Sequence, residues 1–389
     1  MLSRMAPYMG VVPFGNQWTF YSVVMAIFMD RHDVTEATTA EHVAQLHQQD
    51  LKVQDQFGCR GMTYWFDQKR KTAFCLIEAP DKNAIFRMHN HAHGQVPHKI
   101  IEVDPGIVES FLGRIQDPEK AQDTALNIIN EPAFRTIMVL KLKPGSLKPR
   151  ASLTPLLGDY LDPIVDMLNK AGGDIVRQNE GSFLVSFKSV TKAVQVSLEI
   201  KSYLYQTSKG EVVHKIGLSA GVPVSQNGSI FEDTIRIAER MCQVVAGQTV
   251  ITSEVKELYD SENTRGLQQI NCIRCLTRPT ETFLNAFLDY TELNWKNTAA
   301  KIDDLARSLG CSRSKLYRSV ISLTGLSPID FLKEYRLNEA LKLLKKNAGD
   351  ISEIADETGF GSVSYFSKCF KRQYGYSPSE NFKIGSGII

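Results

Sequence analysis

The chain has 389 residues, of which 43% are hydrophobic and 23% charged, and this is the composition of an ordinary globular protein with two to four domains. Its net charge of +2 averages over those domains and excludes no class of partner. Seven scattered cysteines and the lack of any run of roughly 18 apolar residues argue against a disulfide scaffold and a membrane span, so a cytoplasmic location without a membrane partner is expected.

The N-terminal part is interpreted as an extension followed by a small α+β domain. Residues 1–24 are expected to lie outside the folded domains, with disorder as one expectation and Met25 as an alternative start. Residues 25–104 predict a β-α-β-β-α-β order, which is the ferredoxin-like arrangement. The predicted elements are strand Ala26–Met29, helix Thr39–Phe57, strands Gly61–Phe66 and Thr72–Ala79, helix Lys82–His93 and strand Lys99–Val103.

Histidine is concentrated in this domain. Seven of the eight histidines of the chain lie there, at positions 32, 42, 47, 89, 91, 93 and 98. His89 and His93 are four residues apart on a predicted helix, so they share one face and are able to share a metal ion. His47 lies between Val43 and Leu51 at helical spacing and is expected to face inward. A hydrogen-bonded core histidine remains the alternative to a metal ligand.

The runs LHQQDL, FGCRGMTYWF, TAFCLIEAPDKNA and MHNHAHG resemble a small bacterial ferredoxin-like family with nickel binding. The resemblance implies nickel or another divalent transition metal as cofactor. The recurrent polar positions of the family, as implied metal ligands, fall on His47, Tyr64, Cys75, Glu78, His89 and His93. Cys75 and Glu78 are three residues apart in a predicted strand, so they face opposite sides and cannot both join one mononuclear site.

A second α+β domain is predicted after a connector. Residues 105–132 are interpreted as the connector, with an amphipathic stretch from Ile107 to Ile115 and a polar helix that ends near Ile129; the start of a second unit is the alternative. Residues 133–260 form the domain and residues 261–284 a linker, in which the apolar-polar alternation around Cys272 and Cys275 indicates a strand. The predicted elements of the domain are strand Thr136–Leu142, helix Pro155–Ala171, strands Asp174–Arg177 and Ser182–Phe187, helix Ser189–Gln206, strand His214–Val222, helix Thr234–Val245 and strand Thr249–Thr252.

The blocks GGDIVRQNEGSFLVSF, HKIGLSAGVPVSQNG and IFEDTIRIAERMCQVVAGQTVI resemble the class III nucleotide cyclase domain. That family holds two metal ions on two aspartates. Here the first position falls in Ile137–Lys143, which has no acidic residue, and the second falls on Gly181. The asparagine and arginine of the family fall on Arg236 and Arg240. The resemblance implies a degenerate domain that dimerises or binds nucleotide, with an active cyclase as the alternative.

Residues 285–384 predict an all-α domain of two helix-turn-helix units, with Gly310 and Gly359 in the turns. The second helix of each unit is the one that such a motif places in the DNA major groove. Residues 285–389 contain 15 lysine and arginine against 12 aspartate and glutamate residues, a mild excess of positive charge. The residues predicted to contact DNA face outward: Ser312, Arg313, Lys315, Arg318, Ser362, Ser364, Tyr365, Ser367, Lys368, Lys371 and Arg372.

The runs LARSLGCSRSKLYR, LTGLSP, FLKEYRLNEALKLL and ISEIADETGFGSVSYFSKCFKRQYGYSP resemble the AraC/XylS regulator family over almost 80 residues. Members often read YRKLKALTG where this chain reads YRSVISLTG, so two commonly basic positions are Ser319 and Ile321. We therefore expect the first unit to make fewer phosphate contacts than the second.

Together these patterns predict a multidomain α+β protein with ferredoxin-like, cyclase-like and double helix-turn-helix domains. The AraC/XylS resemblance implies a sequence-specific regulator of transcription, more often an activator, that binds double-stranded DNA and RNA polymerase and acts in the cytoplasm at the nucleoid. The upstream domains are expected to sense a metal or small ligand, to form a homodimer, or both. The alternatives are a metal-binding or metal-buffering protein with a regulatory tail and an active nucleotide cyclase.

Overall fold

A computed structural model describes most of the chain. The described residues are 9–14, 17–22, 25–118, 126–144, 153–179, 181–225, 228–244, 247–263, 272–298 and 301–380. They form two compact units, of which the first contains Met1–Arg135 with Gly221–Thr234 and the second contains Thr136–Ala220 with Ile235–Ile389. Within these described ranges, every helix is too short or too polar to cross a membrane.

The N-terminal extension contains regular structure. Strands Met9–Phe14 (β1) and Gln17–Ser22 (β2) pair as an antiparallel hairpin. Disorder was therefore the wrong expectation for these two segments. Their sequences, MGVVPF and QWTFYS, are rich in the β-branched and aromatic residues that favour strands.

The first unit contains a four-stranded antiparallel sheet with the order β4-β5-β3-β6. This is the strand order of a ferredoxin-like domain, as predicted. The first strand extends four residues beyond its predicted end, because the polar run from Asp30 to Asp33 continues the pairing with β5. The elements are β3 (Ala26–Asp33), α1 (Ala40–Val53), β4 (Arg60–Asp67), β5 (Thr72–Ala79), α2 (Lys82–Ala92) and β6 (Lys99–Glu102).

The two helices pack on the sheet through residues at helical spacing. Val43 and Ala44 of α1 and Ile85 and Met88 of α2 are buried in one hydrophobic cluster with the inner sheet face. Thr39 caps α1 and Asp81 caps α2. Each side chain accepts a hydrogen bond from the backbone N–H of the third residue of its helix. Buried apolar residues therefore fix the faces of α1 and α2, and with them the positions of their polar residues.

The connector differs from its prediction. Its amphipathic stretch forms a helix, Pro105–Leu112 (α3), between an Asp104 cap and a left-handed Gly113. Residues 119–125 lie outside the described residues, and residues 126–129 are not helical. A polar helix ending near Ile129 was therefore wrong at its C-terminal end, where the Tyr64 hydroxyl accepts a hydrogen bond from the Ile129 backbone N–H instead.

The second unit contains a six-stranded sheet with the order β12-β11-β10-β7-β9-β8. Strand pairs β7–β9 and β8–β9 are antiparallel, while β10–β11 and β11–β12 are parallel. The elements are β7 (Arg135–Pro144), α4 (Leu153–Lys170), β8 (Gly173–Asn179), β9 (Ser182–Phe187), α5 (Val190–Thr207), β10 (Val212–Gly221), α6 (Glu232–Met241), β11 (Thr249–Ile251), α7 (Ser253–Glu262) and β12 (Ile273–Cys275).

Among the described residues, six helices follow β12. They are α8 (Arg278–Asn294), α9 (Ile302–Ser308), α10 (Arg313–Thr324), α11 (Pro328–Lys345), α12 (Ile351–Glu357) and α13 (Val363–Tyr374). The prediction of a linker over residues 261–284 was wrong for its described part, because β12 is the edge strand of the sheet and α8 runs unbroken across residue 285. Residues 264–271 of that range lie outside the described residues. The strand indicated around Cys272 and Cys275 is β12, but it has only three residues and pairs in parallel with β11, so no local hairpin signal assigned it to the sheet.

Candidate nucleic-acid interface and metal centre

The first recognition helix, α10, separates apolar from polar residues by face. Leu316, Val320 and Leu323 are buried in the core of the second unit. Ser312 caps the helix by accepting a hydrogen bond from the backbone N–H of Lys315. The predicted DNA contacts of this helix, Ser312, Arg313, Lys315 and Arg318, are all exposed. Packing on one side therefore leaves a polar and cationic side in solvent.

The second recognition helix, α13, repeats this design. Phe366 and Phe370 are fully buried, and Ser362 caps the helix by accepting a hydrogen bond from the backbone N–H of Tyr365. The predicted contacts Ser362, Ser364, Tyr365, Lys368, Lys371 and Arg372 are exposed, and Ser367 is half-buried. The structure also exposes Val363 and Ile321, apolar residues that sequence reasoning did not select. Their exposure could have been predicted from the sequence, because both residues fall on the polar side of the helical repeat.

Arg240, the residue at the arginine position of the cyclase-like pattern, is engaged by α8. Its side chain is buried, forms ion pairs with Asp289 and Glu292, and donates a 3.0 Å hydrogen bond to the Asn285 side chain. Gly181, at the second aspartate position, has a φ of 84°. The guanidinium therefore links α6 to α8 rather than facing a nucleotide.

The first unit contains a buried cluster of histidine and aspartate. Asp50 on α1 faces His89 of α2 and His93, the residue that caps the C-terminus of α2, and their ligand atoms lie within 4.8 Å of one another. His89 Nδ1 lies 3.0 Å from Asp50 Oδ1 and 3.4 Å from His93 Nε2, and His93 Nε2 lies 3.2 Å from Asp50 Oδ1. Two imidazole nitrogens and one carboxylate oxygen around one point form a donor set suited to a divalent transition metal.

His89 bridges two carboxylates. Its Nε2 lies 2.8 Å from Asp30 Oδ2, opposite the contact with Asp50. Burial disfavours the charged form of His89, but hydrogen bonds to Asp30 and Asp50 outweigh burial and raise its pKa to about 10. Burial acts against the charged form of Asp30, yet His32 and His89 hold the pKa of this carboxyl well below its usual range. The bridging group is therefore an imidazolium that donates to both carboxylates.

A second cluster shares Asp30. His32 Nε2 lies 3.4 Å from Asp30 Oδ1, and the Cys75 backbone N–H donates to the same oxygen. Asp30, His32 and Cys75 form the second group of possible metal ligands among the described residues. Burial raises the pKa of the Cys75 thiol well above its usual value, so the thiolate that metals prefer is disfavoured there.

Only part of the predicted ligand set comes together. His89 and His93 meet as expected, whereas Glu78 forms a 2.7 Å ion pair with Arg60. The Tyr64 hydroxyl donates to the Asn127 carbonyl.

His47 is buried, and its Nε2 lies 4.0 Å from Asp117 Oδ2. Glu78, Tyr64 and His47 are therefore outside the two clusters. Sequence reasoning missed Asp30, His32 and Asp50. For Asp50 a signal existed, because it stands seven residues after Val43 on the inner face of α1.

Comparison with known proteins matches the two ends of the chain to families. Residues 305–383 match a helix-turn-helix domain family, and residues 28–103 match the family of the nickel responsive protein SCO4226-like.

Among curated relatives, histidine kinase P4 of Formosa agariphila is 34% identical over 277 residues, which are 68% of this chain and 19% of the kinase. The uncharacterized HTH-type transcriptional regulator YidL of Escherichia coli is 37% identical over 21% of this chain and 28% of its own length. The HTH-type transcriptional activator RhaS of Escherichia fergusonii is 28% identical over 37% and 51%. This chain thus spans at most about half of each of these relatives.

Two solved structures are similar to parts of the chain. SCO4226 from Streptomyces coelicolor is 35% identical, with a TM-score of 0.19 over 20% of this chain and 95% of that chain. An adenylate/guanylate cyclase/hydrolase from Silicibacter pomeroyi is 20% identical, with a TM-score of 0.30 over 34% and 82%. The C-terminal domain of this chain is therefore an AraC-type helix-turn-helix domain, and its N-terminal domain is related to the SCO4226-like nickel responsive proteins.

Proposed function

We propose that this chain is a sequence-specific regulator of transcription that binds double-stranded DNA through α10 and α13. The observation that carries the proposal is the pair of recognition helices, each buried on its apolar side and exposing hydroxyl and cationic side chains on the other. Cations and hydroxyls bind phosphates, and hydroxyl and cationic groups also read base edges in the major groove.

RhaS, an activator by name, is among the relatives, and this favours activation. We favour the form of the proposal in which the chain is an activator at the nucleoid. In this form it acts as a homodimer and contacts RNA polymerase.

The test is selection of bound sites from random duplexes, followed by fluorescence anisotropy with the full chain at about physiological salt. We expect the selected site to bind roughly 1,000-fold more tightly than scrambled duplex of equal length, as specific DNA readers do. Equal affinity for both duplexes would sink the proposal.

We also propose that the six-stranded domain is not a cyclase. Arg240 is occupied by Asp289 and Glu292, and Gly181 offers no carboxylate. Incubation of the chain with ATP or GTP and manganese should give no cyclic product by chromatography; turnover above a blank would overturn this.

Metal binding in the first unit is a second candidate, favoured by the geometry of Asp50, His89 and His93. We propose that these residues would hold Ni²⁺ or a similar ion. The positive charge of the ion would replace the positive charge of the His89 imidazolium. His89 must lose its proton first, because a metal needs the neutral imidazole. At neutral pH a group with a pKa of about 10 is protonated, so metal binding should release a proton.

Titration calorimetry with Ni²⁺ tests this in buffers of different ionisation enthalpy. We expect about one proton released per ion and an affinity that falls about tenfold for each pH unit lowered below 10. His93→Ala should weaken binding by about tenfold or more. The matched control is His91→Ala, an exposed histidine of the same helix. Equal binding by the two variants, or no proton release, would contradict the assigned site.

A further inference from the structure

A cavity of about 550 Å³ lies beside the first recognition helix, where α10 meets β12 and the start of α8. This volume is in the range of small-molecule sites. Its wall contains three cations, Arg274, Lys315 and Arg318, and the residues that line it include no carboxylate. A cavity with such a wall attracts anions.

The cations of the cavity differ from their neighbours in their partners. Arg278 forms an ion pair with Glu257, and Arg313 lies 3.7 Å from Asp303. Lys315 and Arg318 have no ion pair within the described part of the chain, and both are exposed. Positive charge is therefore neutralised around the cavity and left uncompensated inside it.

Arg274 of β12 lines the cavity opposite α10 and contacts that helix. Its guanidinium donates a 2.9 Å hydrogen bond to the carbonyl of Ser322, in the last turn of α10. Because a guanidinium has five N–H donors, most remain for a ligand. Arginine forks bind phosphate oxygens in pairs, which gives both energy and orientation.

The floor of the cavity is apolar. Phe283 of α8 and Leu323 of α10 line it, and Phe283 packs against the core of the second unit, so its ring has a fixed position. A flat apolar group is able to stack on such a ring. Ser319 and Leu323 of α10 also line the cavity, which shares Lys315 and Arg318 with the predicted DNA contacts.

We propose that this cavity binds a small phosphate ester with a flat apolar part. Arg274, Lys315 and Arg318 hold the phosphate, and Phe283 holds the flat part. Resting on the proposed DNA binding, the inference has a regulatory consequence. A bound ester occupies Lys315 and Arg318, withdraws them from DNA phosphates and weakens the operator complex.

Calorimetry on the full chain without DNA tests the site, with phenyl phosphate, adenosine monophosphate and inorganic phosphate as probes. We expect both esters to bind at least tenfold more tightly than inorganic phosphate. Phe283→Ala should remove that difference, and Arg274→Ala should weaken all three probes by tenfold or more. Arg278→Ala is the matched control, because it deletes a cation of the same region that is already paired with Glu257. Circular dichroism of each variant checks folding, and Arg274→Lys serves if Arg274→Ala unfolds.

If neither ester binds at millimolar concentration, or if Arg278→Ala weakens binding as much as Arg274→Ala, the assigned site is wrong.

The coupling between ester binding and DNA binding is tested by anisotropy with the selected DNA site. Saturating phenyl phosphate should lower DNA affinity and reduce the slope of log affinity against log salt by about two, one for each shared cation. Unchanged DNA affinity with bound ester would overturn the regulatory part alone. If the parent chain binds neither ester and Arg274→Ala loses DNA binding, the cavity binds the DNA backbone instead. That result would overturn the inference.

Discussion

At the residue scale, the glycines of the two helix-turn-helix turns have the same backbone conformation but different surroundings. Gly310 has a φ of 58° and Gly359 a φ of 75°, both in the left-handed region. A Cβ at Gly310 would meet nothing within 4 Å. A Cβ at Gly359 would lie 2.8 Å from the Trp295 carbonyl oxygen, which also accepts a hydrogen bond from Arg336 Nε.

We expect Gly310→Ala to reduce the free energy of unfolding by about 1 kcal/mol, the usual strain of a left-handed alanine. Gly359→Ala should cost roughly 3 kcal/mol or more, because backbone atoms must move as well. Urea unfolding of the full chain, followed by tryptophan fluorescence, compares the two variants with the parent. If both variants lose the same free energy of unfolding, the close approach of the Trp295 carbonyl oxygen to Gly359 does not contribute to the cost of the substitution.

The metal cluster shows what could be predicted for single residues. His89 lies in the last turn of α2 and His93 is its C-cap residue, four residues later, so the spacing along one helix end predicted that the two would be close. Asp30 comes from β3 and Asp50 from α1, at sequence distances of 59 and 39 residues from His89. No local periodicity relates such distant positions, so the aspartates that complete the cluster were not predicted.

At the element scale, the two recognition helices are unequal. Position 321 of α10 holds an exposed isoleucine, and Arg313 lies 3.7 Å from Asp303, which offsets its charge. Helix α13 exposes Lys368, Lys371 and Arg372. These differences favour more phosphate contacts from α13, as the sequence indicated.

We therefore expect Lys368→Ala to lower the slope of log affinity against log salt by about one, the effect of one lost phosphate contact. Arg313→Ala should change it less, because Asp303 already offsets that cation. Anisotropy with the selected site across a salt series measures both slopes. Lys346→Ala removes an exposed lysine at the end of α11 and serves as the control. A larger effect of Arg313→Ala than of Lys368→Ala would contradict the inequality.

At the scale of the whole molecule, the helix-turn-helix domain is divided between two cores. The first helix-turn-helix unit shares one hydrophobic cluster with the six-stranded domain, and the second unit has its own. The shared cluster contains Met241, Val244, Val250, Leu276, Leu284, Phe287, Leu288, Leu305, Ala306, Leu316, Val320, Leu323 and Phe331. Helix α11 contributes Phe331 to the first cluster and Leu337 to the second. The sheet is therefore coupled to α10 more directly than to α13.

Hydrogen exchange of the full chain tests this division. Phe287 is buried in the shared cluster, with its ring 5.0 Å from that of Phe331. Phe287→Leu should raise exchange in α10 and β11 together and leave α13 nearly unchanged, because each cluster opens as a unit. Phe366→Leu, in the second cluster, should do the reverse. Uniform changes across both clusters would show one cooperative unit instead.

What the sequence by itself determined are the elements and their faces. Periodicity, caps and turn glycines are local properties, so the order of elements along the first domain and the exposed sides of α10 and α13 followed from them. Only the tertiary structure decided which distant residues meet. It placed Asp30 and Asp50 around His89, drew Arg240 to α8, and joined β12 to the sheet where a linker was expected. The physical reason is that burial and pairing between remote segments depend on the whole packing, which no short window of residues contains.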